Sequence, residues 1–224
     1  MPKQRNRTYE AIGDFLVTSP EIRVSDPGYD KDVWCCGVLK NMREGRYEAY
    51  VAYCDDRVWG HRVEMLLIKH ESSTEKPCLA NTVFSTKTKI IWGGGWEPAE
   101  IDVGVDSGQA GFFDELMYQH PFSVLSNQAL VRKLESEHDA LIAAGRIEDA
   151  RAIRDKLQQQ LDQLPDEYGG SWYTACCRLT LSKQMAGVIP YGAVSSSGVG
   201  DGRYDCFVRR ESNGEGVMAC LLYM

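Results

Sequence analysis

Tyr47-Glu48-Ala49-Tyr50-Val51-Ala52-Tyr53 decides the fold class of this 224-residue chain. Tyr47, Ala49, Val51 and Tyr53 fall on one side of an extended strand and Glu48, Tyr50 and Ala52 on the other, a period of two that no helix satisfies. Residues 32–39 predict a strand before it, entered through Gly45-Arg46, and the Asp55-Asp56-Arg57 turn leads to another over 58–68 that ends in Met65-Leu66-Leu67-Ile68. The three make a β-meander with one face packed and the other partly covered.

Further out the pattern is less regular. Residues 1–8 are expected to fray, and residues 9–17 mix apolar and polar side chains without a clean period until Thr18-Ser19-Pro20 stops them. Asp26-Pro27-Gly28 is a turn. On the other side, residues 79–84 and 88–92 predict two more strands, and Gly93-Gly94-Gly95 reads as a bulge or loop because no Lys or Thr follows as a phosphate-binding loop requires. Ile101, Val103 and Val105 alternate into a glycine run, residues 171–181 predict a strand, and Glu211-Ser212-Asn213-Gly214-Glu215-Gly216 joins a closing hairpin. Its first strand sets Tyr204, Cys206 and Val208 opposite Asp205, Phe207 and Arg209.

Composition changes between residues 122 and 166. Cys, Trp and Tyr vanish there, Gly145 is the one glycine, and leucines recur at helical spacing. Leu130, Leu134 and Leu141 line one helix; Ala150, Ile153, Leu157, Leu161 and Leu164 line a second, with Gly145 as a left-handed cap between them and Pro165 at the end. Each helix has one apolar stripe, enough to pair the two and to leave the arm projecting. The expected fold is therefore mainly β (α+β), an antiparallel β-sandwich or strongly curved sheet with an inserted antiparallel helical hairpin. One β-rich domain spans residues 9–121 and 167–224, and the hairpin occupies 122–166.

Bulk properties exclude several classes. Lys and Arg number 25 against 32 Asp and Glu, a formal charge of -7, which favours solubility and disfavours general phosphate-backbone binding. No stretch is apolar enough to span a bilayer, so a cytoplasmic location without membrane contact is expected. The eight cysteines never form Cys-x-x-Cys, and they read as small buried hydrophobes in a reducing compartment. Metalloprotease, dinucleotide-fold, zinc-finger and kinase signatures are missing, so no sequence-specific nucleic-acid reader is expected.

Candidate chemistry gathers in two glycine-spaced runs, Val103-Gly104-Val105-Asp106-Ser107-Gly108-Gln109-Ala110-Gly111 and Ser195-Ser196-Ser197-Gly198-Val199-Gly200-Asp201-Gly202-Arg203-Tyr204. Glycine allows tight turns with exposed N–H groups, so the runs could cradle a nucleotide-like ligand among Asp106, Ser107, Gln109, Asp114, Ser195, Ser196, Ser197, Gly198, Gly200, Asp201, Gly202, Arg203 and Tyr204. Asp106, Asp114 and Asp201 equally suit a metal-dependent hydrolase or phosphoesterase, with Mg or Ca on Asp106 and Asp201. As plain structure, the same aspartates cap turns. Ser107 and the three later serines lack a Gly-x-Ser-x-Gly elbow and a histidine in a motif, which argues against a serine nucleophile.

The two runs, with Phe112-Phe113-Asp114, resemble an uncharacterised domain family of bacteria and phages that carries Gly-Val-Asp-Ala-Gly and a terminal Ser-Gly-x-Gly-Asp-Gly-x-Tyr. The resemblance covers residues 80–120 and 170–224; the helical insertion and Ser107 in the alanine position depart from it. It implies a pocket of Asp106, Asp114, Asp201 and Tyr204, and it transfers no reaction. A small acidic phage protein of this kind would act against host defence, by trapping a signal nucleotide or by binding a host protein. The combined expectation is a non-enzymatic binding protein that uses the glycine-lined pocket, or the arm through Leu130, Leu134, Leu141, Ile153, Leu157 and Leu161. The alternatives are the aspartate hydrolase and a structural protein that forms homo-oligomers through the arm.

Overall fold

The computed structural model describes residues 9–75, 95–125, 128–162 and 172–223. Two strands of the expected meander are present as β4 (Gly45–Asp56) and β5 (Gly60–His70), antiparallel from Tyr47 opposite His70 to Asp56 opposite Gly60 with a bulge between Ala52 and Tyr53, whereas the strand expected before them pairs in the other sheet. β1 (Tyr9–Val17) flanks β4, and the closing hairpin of β11 (Gly202–Arg210) and β12 (Gly216–Leu222) flanks β5. With β6 (Trp96–Pro98) the order is β1-β4-β5-β12-β11-β6, and β7 (Val103–Val105) pairs further along β11. A second antiparallel sheet runs β3 (Gly37–Lys40), β2 (Glu21–Ser25), β8 (Gln109–Asp114), β10 (Gly192–Ser196), β9 (Ala186–Ile189).

The inner faces of both sheets meet in one core. Tyr47, Ala49 and Val51 lie there as their alternation requires, against Ile22, Val24 and Phe112 of the second sheet. Leu66 and Ile68 point the same way, while Met65 and Leu67 join Met218, Cys220 and Leu222 in a second cluster on the far face. The continuous run Met65-Leu66-Leu67-Ile68 thus belongs to a central strand buried on both sides, which explains why its alternation is weak. At about 25 cal/mol per Å² of apolar surface, such burial is the main source of stability.

Three elements differ from the sequence reading. Residues 9–17 form β1 after all: a register shift between Ala11 and Gly13 inserts an extra residue and spoils the period. Gly13 has φ +132, and a Cβ there would stand 2.6 Å from Val188 Cγ2, so only glycine serves at this bulge. The predicted strand at 32–39 shrinks to Gly37–Lys40, preceded by turns closed by Val33 N–H to Asp30 O and Cys36 N–H to Val33 O. The predicted strand at 171–181 is a helix, α3 (Trp172–Thr180). Its buried side chains Trp172, Cys176 and Thr180 are spaced by four, and they cover the outer face of the second sheet with Phe113, Tyr118 and Val194. Nine apolar-rich residues are compatible with either period, and the sheet beneath them decides. The strands expected at 79–84 and 88–92 lie outside the described residues.

The inserted hairpin has 16-residue helices, α1 (Gln128–Ala143) and α2 (Ile147–Asp162), each about 24 Å long at about 1.5 Å per residue. Gly145, at φ +71, turns the chain between them, with Arg146 N–H on Leu141 O. The base of the arm is packed: Val131, Leu134 and Leu157 bury against Phe122 and Leu125, and Arg132 Nε donates to Tyr191 Oη at 2.8 Å. Pro121–Val124 forms a short 3-10 turn that leads into it.

Asp114 ends β8 with no exposure to solvent. Its carboxylate accepts from Thr18 N, Thr18 Oγ1, Ser19 Oγ and Leu116 N. Replacing it with alanine strands these donors, and Asp114→Ala is expected to lose about 3 kcal/mol in urea unfolding with an unchanged m-value.

Candidate functional site

The Asp26-Pro27-Gly28 turn sits at the end of β2, where Asp26 is fully buried. Its Oδ1 accepts from Gly28 N at 2.8 Å and Ser107 Oγ at 2.7 Å; its Oδ2 accepts from Asp106 N at 2.9 Å and Ser107 N at 2.7 Å. One carboxylate thereby fixes both its own turn and the turn between β7 and β8. Hydrogen bonds to an ionised acceptor are the strong kind. Tyr118 Oη reaches Ser25 Oγ and the carbonyls of Asp26 and Tyr29 from below. Its ring lies under Arg23, 5.1 Å from the guanidinium carbon.

Arg23 is 5% exposed and meets Glu115 in a two-pronged bond, Nε to Oε2 at 2.7 Å and Nη2 to Oε1 at 3.0 Å. Burial works to raise the Glu115 pKa, but the bond and charge of Arg23, with Lys31, leave it below its ordinary value. Two phenols flank the Asp106-Ser107 turn. Burial, then a bond to the Cys35 thiol, then the charges of Asp26 and Asp106 push Tyr29 up to about 12. Tyr173 is raised by burial and by its bond to the Cys177 thiol, and it also bonds Ser107.

The second glycine run lies beside the first. Val105 pairs with Gly202, which brings the loop that carries Asp106 beside the loop that carries Asp201, and Ser197 N–H donates to Gly108 O at 3.0 Å. Asp106 and Asp201 are both exposed on this rim, and Arg203 is ion-paired with Asp102. Other members of the expected pocket are structural. Ser195 Oγ bonds Tyr223 Oη in the core, and Ser196 Oγ is buried without a partner among the described residues. Ser197 Oγ donates to Gly200 O, and Tyr204 Oη donates to Ser197 O and Gly200 O, so Tyr204 clamps its own loop. Gly198 and Gly200 have φ of +61 and +116, as this turn demands.

Gln109 is buried, with its amide on Thr180 Oγ1 and Cys177. Asp114 stands at the other end of β8 from Gln109, about 17 Å along the strand at about 3.4 Å per residue, so it does not converge with Asp106. Among the described residues no three His, Cys, Asp or Glu side chains could hold a metal ion. That argues against the Mg- or Ca-dependent hydrolase built on Asp106, Asp114 and Asp201. The seven described cysteines are free.

The partner-binding stripe of the arm is turned inward. Leu134 and Leu157 are buried, and Leu130 and Ile153 pack beside them; Leu141 is half-buried, and the Leu161 side chain lies outside the described residues. Sequence reasoning missed Asp26, whose only signal is the Asp-Pro-Gly turn, and missed Trp34, which stands 79% exposed. No protein-family model, curated protein or solved structure matches this chain.

Two outcomes test the site. Asp26→Asn turns an NH₂ toward backbone donors and is expected to cost about 2–4 kcal/mol in urea unfolding. Tyr29 and Tyr50, at about 12 in the fold against 10.0 ordinarily, resist ionisation, so their stabilisation is whole below pH 10 and disappears as pH rises through 12. Phenolate absorbance followed against pH is expected to show these tyrosines titrating near 12, and unfolding with base to begin above pH 10.

Proposed function

We propose that this protein is a binding protein without catalytic chemistry of its own, which engages a protein partner at the end of the sandwich where β7 meets β11. The observation that carries the reading is Trp34: an indole 79% exposed, next to Cys35, whose carbonyl accepts the Gly104 N–H at 2.7 Å. Val199, 45% exposed, adds apolar surface on the neighbouring glycine turn. A large aromatic held in water over a hydrogen-bonded platform favours recognition, since buried tryptophans dominate interface energies.

Charge narrows the partner. Asp106 and Asp201 repel a nucleotide-like anion and favour a neutral or basic protein face. A host protein therefore fits the counter-defence reading better than a signal nucleotide at this end. Enzymatic readings lack a base: the Asp26 carboxylate beside Ser107 is occupied by four donors, and none of its bonds involves an imidazole. Association through the arm would have to use its tip, where Ile142 and Ile147 are exposed.

Affinity capture from cells of the native host, read by native mass spectrometry, tests this. A partner retained by the wild type is expected to bind about tenfold or more weakly to Trp34→Ala, and to be unaffected in an Ile142→Ser, Ile147→Ser variant. Equal retention by Trp34→Ala, or loss confined to the tip variant, removes the reading.

A further inference from the structure

A cleft of about 350 Å³ lies between the 3-10 turn and the base of the helical arm. His120 and Phe122 form its wall on the side of the sheets; Glu135, His138 and Asp139 come from α1, and Arg154 and Leu157 from α2. The volume is at the lower end of the range that small-molecule sites occupy, about 300–1,000 Å³.

Its polar groups leave a specific set of demands unmet. His120 Nε2 faces Glu135 Oε1 at 3.6 Å. The His120 Nδ1 is buried and has no partner among the described residues. At 3.6 Å the Glu135 carboxylate is beyond a hydrogen bond to the ring, and its side chain is only 28% exposed. His138 spends its Nδ1 on Asp139. The Glu135 carboxylate thus has no hydrogen-bond donor among the described residues.

The donor side is as distinctive. Arg132, Arg146 and Arg151 of the arm are each committed, to Tyr191, Asp149 and Glu148, whereas Arg154 has no hydrogen bond or ion pair among the described residues. The solvent-facing Arg154 guanidinium suits a carboxylate-like anion, and the Glu135 carboxylate suits an ammonium with several N–H groups. Between them the Phe122 ring, edge-on to His120 at 5.7 Å, and buried Leu157 offer apolar contact.

We propose that this cleft binds a small zwitterion, an α-amino acid, with its carboxylate on Arg154, its ammonium on Glu135, and its side chain against Phe122 and Leu157. A metal ion fits less well, because the histidines sit in separate pairs, His120 with Glu135 and His138 with Asp139, and among the described residues no three ligands converge. The site does not depend on the partner surface at Trp34. Occupancy would tie α1 and α2 to the body, so that an amino acid pool sets how firmly the arm is held.

The test is a ¹H–¹⁵N NMR titration of the full chain with each proteinogenic amino acid, followed by the carboxamide and N-acetyl forms of the best binder. At least one amino acid is expected to shift the resonances of His120, Glu135 and Arg154 saturably, and each capped form to bind about tenfold or more weakly. Arg154→Gln is expected to weaken the free amino acid by a similar factor and to leave binding of the carboxamide form unchanged; thermal melting verifies its fold. No saturable shift with any amino acid up to about 10 mM, equal binding of both capped forms, or a response of the cleft to Zn²⁺ alone overturns the proposal.

Discussion

The buried carboxylate of Asp26 is the constraint on which one whole end of the molecule depends. Four donors converge on it, three of them backbone N–H groups, and each would be an unsatisfied polar group in a dry interior without it. Through these bonds the end of β2 is tied to the turn that precedes β8. Because β7 leads into that turn and pairs with β11, the same carboxylate also links the second sheet to the first. Two glycine runs about ninety residues apart in sequence become neighbours as a result.

Rigidity at that end has a chemical consequence. Side chains that sequence inspection offers as reactive are spent on structure: Ser107 and Ser197 close turns, Tyr204 clamps a loop, Gln109 anchors α3 through Thr180. What remains outward is an acidic rim and exposed apolar side chains, Trp34 and Val199. The proposed role in recognition rests on that shape and charge. The helical arm follows the opposite plan. Its apolar stripe is consumed where it joins the body, and its polar groups at the base are left unmatched around a cleft.

Much of the architecture was legible along the chain, and for identifiable reasons. The alternation of Tyr47 to Tyr53, the leucine spacing with Gly145 between two helices, and the Asn213-Gly214 turn are local patterns with local causes. That the two glycine runs meet was also expected from the sequence, though most of the side chains expected to line a pocket there are spent on structure. By contrast, Trp172 to Thr180 carries too few residues to separate a period of two from one of 3.6, and β1 hides its period behind the bulge at Gly13. Asp26 looked like an ordinary turn residue, because its partners Asp106 and Ser107 are eighty positions away.

The sequence by itself determined the fold class, the helical insertion, the acidic balance and the identity of the loops that meet. Those properties follow from short-range periodicity and composition, which are present in every stretch of chain. Only the tertiary structure decided that Asp114 is buried 17 Å or so along a strand from the rim, that the arm's stripe is already covered, and that Arg154 and His120 Nδ1 have no partners among the described residues. Whether a polar side chain is free or spent depends on which distant groups the fold brings to it, and no local pattern encodes that.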